Sequence, residues 1–464
     1  MSQLPQGWVE TTLGELSEYV TSGSRDWSKY YATHGALFVR TQDINKNKLC
    51  AYNNIARVAL PEKAEGKRTR LHQGDLLITI TGANVGKCAI VEDDPPEAYV
   101  SQSVALVRLR DNSLASYLHK QVLCPIAEDL KTWFEENSYG MGRPVLSLEN
   151  VRSMPIRLAP KPEQKRIADK LDALLVRVGA ARARLDRIPD LLKRFRQSVL
   201  AFATSGELTE EWRGKTGTGW EMKRIDEVGK VQLGRQRSPR YHQGQHMRPY
   251  LRVQNVFEDR IDLEDVMEMD FPPNDFEKYQ LHPGDILLNE GQSPQYLGRP
   301  AMYRGEFPGV CFTNSLIRFK ASAEVNPEFA LLVFRHHMHS GRYIRESKIT
   351  TNIAHLSASR FSSVEFPLPS LAEQLEIIRR TKSLFAIADK VQARYEAARA
   401  QVERLTPALL AEAFRGELVP QDPADESAEQ LLARIRFNTS NATSFKQKRG
   451  AKAPVKKQSK EKRA

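Results

Sequence analysis

The sequence predicts an α+β protein in which one unit, a globular block followed by a long helix, is written twice. Three observations carry that prediction. Glu163-Gln164 and Glu373-Gln374 open two helical stretches and stand 210 residues apart. Gly206-Glu207-Leu208 and Gly416-Glu417-Leu418 follow those stretches, again 210 residues apart. The strand-like segments before each helix repeat at offsets of 210 to 212 residues.

Near the start of each block stands a Gly-Trp pair, Gly7-Trp8 and Gly219-Trp220. LFVRTQDI and YLRVQNV then set Arg40 against Arg252 and Asp43 against Asn255, and their apolar–polar alternation reads as a strand. LHQGDLLITITG and LHPGDILLNEG align Gly74-Asp75 with Gly284-Asp285, a tight turn feeding a buried strand. Val100–Leu109 and Phe312–Phe319 are further strand candidates, and Tyr117–Trp133 and Pro327–Met338 read as helices. Leu146-Ser147 matches Leu356-Ser357, after which each block enters its long helix through a Pro-containing link.

The first long helix, 162 to about 188, carries Ile167, Leu171, Leu174, Leu175, Val178 and Leu185 at helical spacing. The second, 371 to about 405, carries Leu375, Ile378, Leu384, Phe385, Ala388, Val391 and Val402. Both patterns bury one stripe. Ile188-Pro189 and Thr406-Pro407 are expected to end them, each Pro opening a new short helix where its missing N–H costs nothing. A helix of about 27 residues is ~40 Å long, close to one DNA turn of ~34–36 Å. The two are therefore expected to pack as an antiparallel coiled coil, a spacer about an internal pseudo-twofold axis.

Domain boundaries follow: 1–160 and 214–369 for the globular blocks, 161–213 and 370–435 for the helical regions, 436–464 for a basic tail expected to be disordered. A chain of 464 residues accommodates that number of parts. The net charge is +12, of which +8 lies in residues 446–464, leaving +4 for the rest. The balance points to a polyanionic partner, but the body is only mildly basic. The four cysteines, Cys50, Cys88, Cys124 and Cys311, are isolated, which suggests neither a disulfide framework nor a zinc site. No signal peptide or run near ~18 apolar residues is visible. The expectation is a soluble cytoplasmic protein.

The order and duplication of GDLL and GDIL, the PxxxEQxxI entry to the first helix, its LAEQ counterpart and the paired GEL endings resemble the specificity subunit of type I restriction-modification enzymes. RIPDLLKRFRQSVL with SGELTEEWR is similar to the central conserved region of the type IA branch. The resemblance implies two target-recognition domains, 1–160 and 214–369, joined by two conserved helical regions. It implies a non-catalytic subunit in which each domain reads one half of a split, asymmetric site in double-stranded DNA. It also implies two methyltransferase subunits and, through them, two restriction subunits as partners, with no membrane. S-adenosylmethionine, ATP and Mg would sit on those partners and no cofactor in this chain. The alternative is a stand-alone DNA-binding or coiled-coil scaffold protein.

Thr81 to Cys88, TGANVGKC, resembles a phosphate loop, but its glycines are one residue too close and Cys88 replaces the metal-binding hydroxyl; a turn between strands is the better reading. Asp94-Pro95-Pro96-Glu97 lacks the aromatic ring that an adenine methyltransferase stacks on its flipped base. His336-His337-Met338-His339 has no carboxylate or Cys at ligand spacing. No nuclease arrangement is visible, and a binding role is favoured.

Bases are read by Arg, Lys, Asn and Gln at groove edges, while phosphates position the protein. The candidate DNA-binding residues lie in paired loops. In the first block they are Arg25, Lys29, Tyr30, Arg40, Lys87, Tyr139 and Arg143. In the second they are Arg235, Arg237, Arg240, Tyr241, Arg252, Gln292, Gln295, Arg299, Lys348 and Asn352. Arg40 and Arg252 are equally readable as structural, pairing with a carboxylate of their own domain. No catalytic or metal-binding residue is predicted.

Overall fold

A computed structural model describes residues 4–438 except 26, 46–47, 62–66, 84, 124–132, 134–135, 138–143, 215–218 and 351–352. In it the sequence repeat is a repeat of strand order. The first block contributes β1 (Val9–Thr12), β2 (Ser17–Ser22), β3 (Ala36–Val39), β4 (Arg57–Val58), β5 (Leu76–Thr79), β6 (Cys88–Ile90), β7 (Ala98–Val100), β8 (Val104–Leu109), α1 (Ala115–Leu123) and β9 (Pro155–Leu158), and runs into α2 (Lys161–Leu185). After α3 (Ile188–Ser205) come β10 (Glu221–Arg224), β11 (Gly229–Leu233), β12 (Met247–Leu251), β13 (Met267–Asp270), α4 (Pro273–Tyr279), β14 (Ile286–Asn289), β15 (Pro300–Met302), β16 (Cys311–Phe312), β17 (Leu316–Ala321), α5 (Pro327–His339), β18 (Glu365–Leu368) and α6 (Leu371–Phe414).

An antiparallel sheet runs β2-β8-β5-β6 in the first block and β11-β17-β14-β15 in the second. A smaller sheet in each holds a parallel pair, β7 on β3 and β16 on β12. The pairs β1–β9 and β10–β18 tie the start of each block to its end. The central strands β5 and β14 are buried along their whole length because both faces of the sheet are covered. Successive side chains of a strand point to opposite faces. Leu76 and Ile78 therefore enter the core that holds α1, and Leu77 the core under the small sheet. Ile286 and Leu288 divide from Leu287 in the same way.

The Gly-Asp turns have a shared chemistry. Gly74 and Gly284 adopt φ of 86° and 97°, a conformation natural to glycine. The next residue, Asp75 or Asp285, is buried and accepts the backbone N–H of His72 or His282 at 2.7 and 3.0 Å. Each carboxylate also faces an arginine on the neighbouring strand, Arg108 at 2.6 Å and Arg318 at 3.5 Å. Those arginines donate onward to the carbonyls of Arg70 and Gln280, both at rounded distances of 2.8–2.9 Å. Sequence reading found the turns but not their cations.

One helical expectation is corrected, at the end of the second long helix. Helix α1 covers Ala115–Leu123, and the rest of the expected helix to Trp133 falls largely outside the described residues. The first long helix ends at Leu185, with a break before α3, whose Pro189 sits in the first turn. The second does not stop at Thr406-Pro407: α6 continues through Pro407 to Phe414. The distance from Glu-Gln to Gly-Glu-Leu is the same in both repeats, but Pro407 lies eight residues later in register than Pro189. It falls within a helix already propagating and removes one hydrogen bond there. On α6, Leu375 is 58 % exposed, whereas Ile377 and Ile378 are buried. Val391 is exposed too, and buried positions recur every seven residues at Thr381, Ala388 and Tyr395.

The described chain forms two units, one of residues 4–183 with 399–438, the other of 184–398. In the first, the C-terminal segment completes the core: Leu410, Ala413, Phe414, Leu431 and Leu432 pack with residues such as Tyr117, Ile167 and Leu171. Ala428 N–H donates to the Gly7 carbonyl at 2.8 Å. Arg166 pairs with Asp425 at 2.7 Å and Arg436 with Glu15 at 2.9 Å. In the second unit the same place is taken by α3, whose Leu200 and Ala203 join the core of α5 with Ile377 and Ile378 of α6.

Candidate nucleic-acid interface

Each unit presents its cations at loop ends of the two sheets, and the two units hold them differently. In the first, Arg25 and Lys29 are exposed, the Lys29 ammonium lying 5.1 Å from the Tyr30 ring centre. Lys87 is half-buried where the 80–87 turn enters β6. That turn is a hairpin connection, with Gly86 N–H donating to the Thr79 carbonyl at 2.9 Å; a strand and not a helix follows Lys87, as the turn reading requires. Arg40 is engaged within its own domain. Its Nε and Nη2 donate to Asp43 at 3.0 and 3.1 Å, and its backbone N–H to the same carboxylate at 2.9 Å. Tyr139 and Arg143 lie outside the described residues.

In the second unit, Arg252 likewise pairs internally, with Asp265 at 2.7 Å. Arg237 and Arg240 are exposed, with guanidinium groups 5.7 Å from the Tyr250 ring centre and 4.6 Å from that of Tyr241. Arg235 corrects the sequence reading. It was expected in an exposed reading loop, but its residue is only 7 % exposed and its guanidinium is paired with Asp275 of α4 at 2.9 Å. The hydrophobic surroundings of Phe271 and Tyr241 enclose it, an environment that strand alternation alone does not reveal.

The loop after β14 holds three candidates, Gln292, Gln295 and Arg299, with Tyr296 beside them. Gln292 lies in a short strand paired with Ile353–His355, and Gln295 and Tyr296 are exposed in the next turn. Arg299 closes the group. Its guanidinium lies 4.7 Å from the Phe257 ring centre and 5.4 Å from that of Tyr296. Burial pulls its pKa below the usual guanidinium range. Its Nε is buried without a hydrogen-bond partner, and among the described residues it makes no close ion pair, the charge of Glu258 acting on it only from a distance. A second cation, Arg260, stands 4.5 Å from the same Phe257 ring but is neutralised by Asp262 at 3.2 Å. A partly desolvated cation beside aromatic rings, with no carboxylate in contact, suits a phosphate oxygen or the O6/N7 edge of guanine. Phe257 and Arg260 were missed because they lie about 40 residues before Arg299 in the chain. Lys348 begins a short strand paired with Ile353–His355; its side chain and Asn352 lie outside the described residues.

The histidines of α5 are absorbed by the fold. His337 is buried against the Glu365 carbonyl at 3.0 Å, and burial lowers its pKa to about 4. His339 lies 2.9 Å from Glu258, which is lowered to about 2: burial raises it, but His339 and Arg335 outweigh that. Among the described residues no three His, Cys, Asp or Glu side chains are grouped to hold a metal, and no helix is long and apolar enough to cross a membrane.

Comparison with known proteins places this geometry. The family model described as the type I restriction modification DNA specificity domain matches twice, over residues 5–188 and 217–396. The type I restriction enzyme EcoKI specificity subunit of Escherichia coli (strain K12) is 27% identical over 468 residues, covering 94% of this chain and 96% of that protein. The StySPI specificity subunit of Salmonella potsdam is 27% identical over 462 residues, with the same coverage of both. The crystal structure of the HsdS subunit from Thermoanaerobacter tengcongensis aligns with a TM-score of 0.59 at 19% identity, over 90% of this chain and 99% of that one.

Proposed function

The chain belongs to the type I restriction modification DNA specificity family, and from that premise we propose that it reads a bipartite, asymmetric site in double-stranded DNA, one half with each unit. The target-recognition domains are residues 1–160 and 214–369. The helical regions 161–213 and 370–435 set the distance between the half-sites and dock two methyltransferase subunits, through which two restriction subunits join. The chain itself is non-catalytic and carries no cofactor. S-adenosylmethionine, ATP and Mg act on the partner subunits, which methylate adenine or cleave DNA in the cytoplasm.

The observation that supports this most is where the repeats agree and where they differ. Strand order, Gly-Asp turns and the arginines behind them recur at 210 to 212 residues. The loops keep cations but not the residues around them: Arg25, Lys29 and Tyr30 stand against Arg237, Arg240 and Tyr241, but Asp26-Trp27 in the first loop gives way to Ser238-Pro239 in the second, and Lys87 gives way to Arg299. A scaffold kept constant under variable base-reading groups reads two different half-sites. Exchanging residues 20–145 for those of a relative is expected to change one half-site only, mapped by sequencing methylated adenines in cells carrying the system. A change in both halves would contradict the division.

Arg299 gives the sharper expectation. Arg299→Ala should weaken binding to duplexes carrying the intact second half-site by about 1–3 kcal/mol and leave first-half preference as it was. Arg299→Lys should recover part of that at most, since an ammonium neither stacks on Phe257 nor makes a bidentate contact. Gel-shift titration on half-site variants measures both. Equal losses at the two halves would remove Arg299 from the reading surface.

A further inference from the structure

The two units anchor their first reading loops in different ways. Both loops leave the large sheet through a glycine that nothing else can replace. A Cβ on Gly23 would stand 1.8 Å from the Val100 carbonyl oxygen, and one on Gly234 2.3 Å from the Thr313 carbonyl. Beyond that point the first unit inserts Trp27, which packs against Phe38 and Tyr99 with ring centres 5.6 and 5.3 Å away. In the second unit Tyr250 and Cys311 stand where Phe38 and Tyr99 stand, 212 residues on. There the chain inserts a cation, Arg235, bridged through its backbone to Thr313.

That guanidinium is the bottom of a stack. Asp275 holds it from one side at 2.9 Å, and the Tyr241 ring covers it at 3.9 Å. Tyr241 in turn faces the Arg240 guanidinium at 4.6 Å, and its hydroxyl accepts a hydrogen bond from Arg240 Nη2. Arg240 is exposed, and no carboxylate pairs with it among the described residues. A free arginine side chain loses about 2 kcal/mol of rotamer entropy when it is fixed on a ligand. A stack that fixes it beforehand removes part of that cost at the moment of binding. Burying a guanidinium where an indole would serve is unfavourable for stability alone: its Nη1 is left without a partner and Asp275 is only half-buried.

We infer that Arg235 is a positioning residue for the second half-site: it touches no DNA, and through Tyr241 it presets Arg240 for contact. This rests on the proposed DNA-reading role, and the test separates the two. The full chain, co-purified with its methyltransferase partners, is titrated on duplexes varied in one half-site at a time. Arg235→Met keeps the volume and removes the charge; Asp275→Asn weakens the anchor without touching the loop. Both should lower affinity for the intact second half, Arg235→Met by about tenfold and Asp275→Asn by less, with first-half preference and melting temperature held. In an Arg240→Ala background the Arg235→Met loss should vanish. If it persists there in full, Arg235 contacts DNA itself and the inference falls. If Arg235→Met does not fold, Asp275→Asn alone decides, and no second-half effect in it overturns the inference. A wild-type chain that selects no two-part site overturns the DNA reading as well, a result distinct from selection that survives both variants.

Discussion

Phe414→Ala is expected to destabilise the unit of residues 4–183 and 399–438 by about 3–5 kcal/mol, the usual loss for a fully buried phenylalanine, and to leave the 184–398 unit unchanged. Phe414 is 0% exposed and packs edge-on against Tyr117 at 5.4 Å. Tyr117 is itself fixed by donating to the Arg157 carbonyl at 2.7 Å, so neither ring can shift to fill the space. Around the ring lie Leu410, Leu431 and Leu432 from the C-terminal segment and Ile167 and Leu171 from α2. A cavity there therefore loosens α1, α2 and the C-terminal segment together. Amide hydrogen exchange resolves the outcome by segment: protection should fall in β2, β5, β8 and α1 and hold in β11, β14, β17 and α5. A uniform fall over both units, or none, would show that the C-terminal segment is not part of the first core.

That segment also marks where sequence reasoning stopped. The repeat, several strands of each block and the Gly-Asp turns were legible because they rest on local pattern: apolar runs of period 2 or 3.6 bounded by turn residues. The family match confirms the duplication over 5–188 and 217–396. Closure of the first core by Phe414, and the Arg436–Glu15 pair across 421 residues of chain, leave no local trace. The same holds for Arg235, whose burial depends on Asp275 in a separate helix. Leu375 and Ile378 were both assigned to the buried stripe; Ile378 is buried as expected, but Ile377 and not Leu375 is buried beside it. Two adjacent apolar residues one step on shift the buried face of a helix, and a count of spacings does not choose between them. The candidate loops were found as loops, but which cation is paired and which is free depends on carboxylates that the fold brings in from elsewhere.

The two glutamates that open the long helices should respond oppositely to the same substitution. Both are buried, Glu163 at 1% and Glu373 at 4% exposure, and each accepts the indole N–H of its block's first tryptophan at 3.1 Å. Glu373 also accepts Thr209 at 2.8 Å and Arg213 Nε and Nη2 at 3.0 and 2.9 Å. Burial raises its pKa, but these donors outweigh it and the net shift is downward. In the first unit the residue 210 positions after Arg213 is Pro423. Glu163 Oε1 has no hydrogen-bond partner, and burial raises its pKa, only partly offset by Trp8 and the charge of Arg166. A carboxylate with a lowered folded pKa contributes stability above its unfolded value and loses it as pH falls through the folded one; a raised one contributes below its unfolded value and loses it as pH rises. Glu373→Gln should therefore cost the second unit about 1–3 kcal/mol at pH 7, leaving the half-buried Arg213 guanidinium without its anion, and the deficit should shrink as wild type is acidified below about pH 4. Glu163→Gln should leave the first unit as stable or more stable at pH 8, because it removes a buried charge that Trp8 and Arg166 only partly offset. Denaturant melts of both variants across pH, read unit by unit through hydrogen exchange, test the pair. Equal losses from the two substitutions would mean that Arg213 does not govern the difference, and that the indole bond common to both is what each helix entry depends on.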